Sequence, residues 1–185
     1  MDNGASSYRR FLEGDESGLE DIIKYYKDGL ILYLLGYTKN IYVAEEIMEE
    51  TFVKLVIKKP RFSEKYSFKT WLYTIGRNAA IDYFRKNSRI IPVPACDLAK
   101  IKSDEEDIEK SYIKEERKIA VHRTINKLYE NYRQVLYLSF FEGMSNGEIA
   151  AVMKKNKRQV ENLIYRAKQA LKTELEKGDF IYEEL

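Results

Sequence analysis

Cysteine and histidine are almost missing from this 185-residue chain, which has one of each, Cys96 and His122. A single thiol excludes an internal disulfide framework and any cysteine-rich zinc site, so a reducing cytoplasm is the expected setting. A single imidazole leaves almost no material for histidine-based catalysis or a metal cluster. No metal site is expected, and the lone histidine reads as a surface or satisfied core residue. Three prolines and nine glycines are too few for an all-β chain built from many tight turns. Long apolar runs are lacking too: the longest, Leu30 to Leu35, falls far short of the ~20 residues that span a membrane. Met1 to Arg10 holds no apolar segment of the kind a secretion signal needs. Neither membrane insertion nor secretion is expected.

Charge is abundant, but net charge is not: 32 Lys and Arg stand against 30 Asp and Glu, a balance of +2 with 34% of residues charged. The charges lie in opposed blocks. From Lys54 to Arg89 ten basic residues face only Glu64 and Asp82, a net +8. From Asp97 to Glu116 four lysines face eight acids, a net −4. From Lys154 to Lys172 seven basic residues face Glu161 alone, a net +6, and the end from Glu174 is again −4. Two basic blocks separated by acid point to polyanion contacts at two places.

Hydrophobic spacing gives helices throughout. Leu19, Ile22, Ile23, Tyr26, Leu30, Tyr33 and Leu34 fall three and four apart between Asp15 and Tyr37, one face of a helix. A second helix is expected from about Tyr42 to Ile57, with Ala44, Ile47, Met48, Thr51, Phe52 and Leu55 inward, four glutamates largely outward, and Pro60 stopping it. A third, long helix is expected from about Ser67 to Arg89. The pattern then fails at Pro92 and Pro94 and stays polar and acidic, which reads as a mobile tether. Helices resume over 112–129, 133–141, 146–153 and 157–176. The expected fold is all-α. Its parts are a first domain at 1–90, a flexible acidic linker at 91–111, a second domain at 112–177 containing a helix-turn-helix, and a tail at 178–185.

The turn chemistry of the second domain is specific. Gly143 suits a left-handed helix end, Ser145 with Glu148 makes a capping box, and Asn156 with Gln159 can cap the next helix. A short helix, a tight turn and a longer basic helix are the parts of a helix-turn-helix. On the last helix Val160, Leu163, Ile164, Ala167 and Leu171 face inward. Arg158, Glu161, Asn162, Tyr165 and Gln169 fall on the opposite face, with Gln159 and Arg166 at its edges, and among them are the residue types that pair with base edges and phosphates in a major groove.

In the first domain, Phe62, Tyr66, Phe68, Trp71, Tyr73, Tyr83 and Phe84 are interleaved with Arg61, Lys65, Lys69, Arg77, Arg85 and Lys86. Rings that stack on bases, set among cations that track a backbone, suit an unpaired strand. Phe68 reads as core, Trp71 as core or strand contact alike. Arg77 and Asn78, on the polar side of the helix, are the better candidates for phosphate and base.

These segments carry a family resemblance. Phe68 to Arg89, FKTWLYTIGRNAAIDYFRKNSR, resembles the promoter-melting helix of bacterial RNA polymerase sigma factors of the sigma-70 class, nearest the extracytoplasmic-function (ECF) group. Val43 to Leu55, VAEEIMEETFVKL, looks like their polymerase-binding helix. NYRQVLYLSFFEGMSNGEIAAVM from Asn131 and YRAKQAL from Tyr165 resemble their last domain.

The resemblance implies a transcription-initiation factor, not itself an enzyme and with no catalytic residue or cofactor, that binds core RNA polymerase, at its clamp and flap, together with promoter DNA. The clamp contact would use Glu46, Glu49, Glu50 and Phe52. Promoter melting and minus-ten contacts would use Arg61, Tyr66, Lys69, Trp71, Arg77, Asn78 and Arg85. Minus-thirty-five recognition would use Lys157, Arg158, Gln159, Asn162 and Arg166. An anti-sigma protein is a further partner the family often has. The chain departs from the family pattern at Lys154, where glycine is usual in the turn, at Arg158-Gln159-Val160, where Gly-Thr-Val is usual, and at Glu49 and Val56, where Gln and Trp are common. The rival reading is a stand-alone helix-turn-helix regulator of duplex DNA, which has no need of the stacking surface between Phe62 and Arg89.

Overall fold

The computed structural model describes residues 3–87, 121 and 124–177. Cys96, His122, the tether at 91–111, the helix start at Tyr112 and the tail at 178–185 lie outside the described residues. Every regular element described is helical. The first four are α1 (Asn3–Leu12), α2 (Ser17–Thr38), α3 (Ile41–Lys58) and α4 (Phe68–Asn87). The second group is α5 (Glu130–Leu136), running on as a π-helical segment over Tyr137–Phe141, then α6 (Asn146–Met153) and α7 (Lys157–Glu176).

The helices form where spacing and caps require. Asn40, in extended backbone, accepts hydrogen bonds from the Tyr42 and Val43 amides at 3.0 and 3.4 Å and so starts α3. Lys59 ends it in the left-handed conformation, φ 39°, immediately before Pro60. Leu30, Leu34, Ile47, Leu55, Phe68 and Leu72 are fully enclosed where α2, α3 and α4 meet.

The sequence reading missed α1. Of its large apolar side chains Tyr8 and Phe11 are buried and Leu12 is exposed, and three residues gathered at one end of the ten make a weak periodic signal. Helix α1 crosses α2 so tightly that a Cβ on Gly18 would sit 2.2 Å from the Ser7 carbonyl oxygen, so only glycine permits the crossing. Tyr8 then reaches across the bundle and donates a hydrogen bond to the Pro60 carbonyl at 2.8 Å.

The π-helical segment at Tyr137–Phe141 was not foreseen either. One wide turn there shifts the register, so that Tyr137 and Leu138 are buried while Phe140 and Phe141 stay exposed. The second group also packs on the first: α6 lies against α4 and α5 against α2, and one apolar core runs through both. Sequence periodicity describes one helix at a time and carries no sign of this contact.

Candidate nucleic-acid and polymerase interfaces

The helix-turn-helix is built by its caps. Ser145 and Glu148 exchange hydrogen bonds as a capping box at the start of α6, and Gly143 before them has φ +62°. Helix α6 ends on Lys154 in the left-handed conformation, φ 53°, so the turn keeps the shape that glycine usually supplies. Asn156 then starts α7: its side chain accepts from the Gln159 amide at 2.8 Å, while its own amide donates to Gln159 Oε1 at 2.9 Å.

Val160 and Ala167 are buried beneath α7. Lys157, Arg158, Gln159, Asn162 and Arg166 are all exposed on it. The Gln159 carbonyl oxygen is committed to the cap, which leaves its Nε2 hydrogens as donors. Arg158, Asn162 and Arg166 have no such commitment to the cap. Tyr165, 67% exposed, lies on the same face.

The basic, aromatic surface is less open than its sequence implies. Arg61 and Tyr66 are exposed, with Lys65 Nζ 5.7 Å from the centre of the Tyr66 ring. Phe68 is fully enclosed, as expected. Trp71 is half-buried, its ring 5.2 to 5.3 Å from those of Tyr8, Phe62 and Phe68, so one part packs and another faces out. Tyr73 is wholly buried, which removes it from the stacking surface. Arg85 is exposed and paired with Asp82 at 3.2 Å. Asn78 is half-buried, as is Arg77. The Arg77 Nε is enclosed without a hydrogen-bond partner, and its charge is felt by Tyr33 and Tyr37.

Lys69 is held by the second group of helices: its Nζ lies 2.9 Å from Glu142 Oε2 and 3.1 Å from the Glu142 carbonyl oxygen. Ser67 and Thr70 donate to Glu148 Oε1 at 2.8 and 3.1 Å. Burial would raise the Glu148 pKa, but the hydrogen bonds from Ser145, Ser67 and Thr70 outweigh it and hold the carboxyl below its usual range. The sequence could not single out Glu142 or Glu148 for this role, because both contacts cross more than 70 residues of chain.

On α3, Glu46, Glu49 and Glu50 are exposed, and Glu50 pairs with Lys54 at 3.0 Å. Phe52 is in the core, 5% exposed, so it supports the helix from beneath and presents almost no surface. The exposed face also holds Tyr42, Val53, Val56 and Ile57. Of these the sequence reading noted only Val56. The recurrence of 42, 46, 49, 53 and 56 at steps of four and three is the signal that marks one continuous stripe. No described helix is long and apolar enough to cross a membrane.

An exposed recognition helix, a separate ring-lined basic helix and an acidic helix edged with apolar side chains define a helical DNA-reading protein with a protein partner. The family profile Sigma-70 region 2 matches residues 22–90, and Sigma-70, region 4 matches residues 118–171, together about two thirds of the chain. The RNA polymerase sigma-H factor of Pseudomonas aeruginosa is 28% identical over 170 residues, 88% of each chain. The ECF RNA polymerase sigma factor SigW of Bacillus subtilis is 26% identical over 171 residues, 88% of this chain and 91% of that one. The chain belongs to the sigma-70 family, in its ECF group: it is a sigma factor, which joins core RNA polymerase, directs it to promoters and enables transcription to start.

Two solved structures share the fold. One is CnrH in complex with the cytosolic domain of CnrY, with a TM-score of 0.63 at 21% identity over 96% of this chain and 97% of that one. The other is the sigma factor RpoE in complex with the anti-sigma factor NepR from Bartonella quintana, with a TM-score of 0.65 at 21% identity over 85% and 96%.

Proposed function

We propose that this sigma factor divides its work among three surfaces. The α3 stripe docks on the polymerase clamp through Glu46, Glu49 and Glu50, with Tyr42, Val53 and Ile57 supplying apolar contact and Phe52 holding the helix from below. The surface carrying Arg61, Tyr66, Lys69, Trp71, Arg77, Asn78 and Arg85 takes the unpaired minus-ten strand, by stacking on Tyr66 and the open part of Trp71 and by charge elsewhere. Helix α7 reads the minus-thirty-five duplex through Arg158, Asn162 and Arg166, with Lys157 and the Gln159 amide at its leading end. The domains divide at 1–90 and 112–177, joined by 91–111 and followed by a tail at 178–185. The protein works in the cytoplasm as a non-enzymatic subunit and has an anti-sigma protein as a further partner, as the similar sigma factor RpoE has in its complex with NepR.

What carries this reading is the presence, in one chain, of an exposed recognition helix and a second, ring-lined cationic surface away from it. A duplex-only regulator has no use for the second surface. The test is reconstitution with core polymerase on a promoter library. Promoter-dependent transcripts, lost on Asn78→Ala with duplex binding intact, are expected. Tight duplex binding with no transcript would assign the chain to the regulators instead.

A further inference from the structure

An open groove of about 750 Å³ lies between the end of α2, the start of α5 and the last turns of α7. Tyr129 on its lining is 82% exposed, more than any other large apolar side chain described, and its ring stands edge-on to Tyr132 at 6.0 Å. Leu128 and Ala170 continue the apolar lining. The charges of the groove are unevenly spent. Glu130 accepts a hydrogen bond from Gln134 Nε2 at 2.8 Å and Glu174 pairs with Lys177 at 2.5 Å, so each acid is satisfied by its own helix or the residue just beyond it. Lys39 and Lys127 are exposed and, among the described residues, neither is ion-paired, although the charge of Lys127 is felt by Glu174. What the groove leaves unmet is apolar area and two positive charges.

The chain carries the complement just past α7. Residues 178–185 read GDFIYEEL, with Phe180, Ile181 and Tyr182 set among Asp179, Glu183 and Glu184. This stretch lies outside both family-profile matches, so the surfaces shared by the family do not account for it. Reach is sufficient. The groove meets α7 at Ala170, Thr173 and Glu174, and Ala170 stands only about 10 Å back along the helix from Lys177 at the ordinary helical rise. An extended segment of this length spans up to about 26 Å, and Gly178 suits the reversal that turns it back. In extended chain Phe180, Tyr182 and Glu184 share one side.

We propose that residues 178–185 fold back along α7 and seat in this groove, Phe180 and Tyr182 covering Tyr129, Leu128 and Ala170 while the acids meet Lys39 and Lys127. The recognition helix is then fixed at both ends, by the Asn156 cap where it begins and by this segment where it ends. Apolar rings supply the area and the acids set the register, because the lysines flank a lining that is otherwise uncharged or already paired.

Hydrogen–deuterium exchange of the full chain, read by mass spectrometry, tests the seat. In wild type, residues 178–185 should exchange roughly tenfold or more slowly than a free peptide of the same sequence. Phe180→Ser with Tyr182→Ser should abolish that protection and raise uptake across 127–133 and 170–177, leaving α3 unchanged. Tyr129→Ser, a change on the surface, should strip the protection from 178–185 as well. Lys39→Glu with Lys127→Glu should weaken it, and Glu183→Lys with Glu184→Lys in that background should restore part of it. Exchange of 178–185 at the free-peptide rate in wild type would overturn the proposal, as would protection that the groove variants leave untouched. Protection that grows with protein concentration, together with a light-scattering mass of two chains, would seat the segment in a second copy and overturn it equally.

Discussion

The Tyr8 hydroxyl lies 2.8 Å from the carbonyl oxygen of Pro60, 52 residues away, and donates to it across the first bundle. That bond fixes the start of the loop carrying Arg61, Tyr66 and Ser67 toward α4. The Tyr8 ring meanwhile packs 5.5 Å from Phe68 and 5.2 Å from Trp71. Tyr8→Phe removes only the hydrogen bond and should cost about 1 kcal/mol in urea unfolding. Tyr8→Ala also empties an enclosed site and should cost about 3 kcal/mol or more. Indole fluorescence reports the same change, because Trp71 is the chain's one tryptophan. A red shift is expected for Tyr8→Ala and little shift for Tyr8→Phe.

Lys154 sits at φ 53°, ψ 46° where α6 ends. A side chain in that conformation costs on the order of 1 kcal/mol relative to glycine, a cost the recognition helix inherits because the turn aims α7. Lys154→Gly should therefore raise the midpoint of urea unfolding, and Lys154→Ala should not. Lys39 and Lys59 hold the same left-handed position at the ends of α2 and α3, with φ of 52° and 39°. Lys39→Gly should repeat the gain in the first bundle. Three helices ending on left-handed lysine set a positive charge beside each run of unpaired carbonyls, which offsets part of the strain.

Asn156 and Asn162 separate folding from reading on one helix. Asn156 accepts the Gln159 amide, so Asn156→Ala should cost about 1 kcal/mol and weaken binding to all duplexes alike, as the leading end of α7 frays. Asn162 is exposed and takes no part in the cap. Asn162→Ala should leave stability unchanged and alter base preference at one position of the upstream element. Selection from a randomised duplex library, run beside thermal unfolding, distinguishes the two. An unchanged preference for Asn162→Ala would remove it from the reading face.

Local chemistry was legible in the sequence and long-range chemistry was not. The capping boxes of Ser145 with Glu148 and Asn156 with Gln159 follow from residues three apart, and both form. The apolar stripes of α2, α3 and α7 follow from steps of three and four. Helix α1 has no such signature because Tyr8, Phe11 and Leu12 at its end do not make a stripe, and the π-helical turn at Tyr137–Phe141 has none because no residue there forbids an ordinary helix. Arg77 and Lys69 were placed on the correct helix, but a helical wheel gives direction without saying what lies opposite. Glu142 and the tyrosines beside it come from other parts of the chain, so the enclosure of Arg77 Nε and the pairing of Lys69 have no signature in local spacing.

Those tyrosines give the contact between the two groups of helices a pH dependence whose sign follows from their burial. Tyr33 from α2, Tyr73 from α4 and Tyr137 from the second domain lie with ring centres 5.3 and 6.4 Å from Tyr33. Burial pushes the Tyr33 and Tyr73 hydroxyls well above their usual range, with the charge of Glu142 adding to the effect on Tyr73. Tyr37 is pushed up to about 12, again chiefly by burial. A phenol that stays neutral in the folded chain but ionises near its ordinary value of 10 when unfolded favours the folded state fully below pH 10. That contribution falls steadily as pH rises above 10. Unfolding free energy should therefore decline above pH 10, and Tyr33→Phe, which cannot ionise, should flatten the decline whatever it does to stability at pH 7. Absorbance of the phenolate after a rapid jump to pH 11 should show Tyr33, Tyr73 and Tyr137 ionising only as the chain unfolds. Immediate ionisation of Tyr33, Tyr73 and Tyr137 would mean that the contact between the two groups of helices is already open in solution.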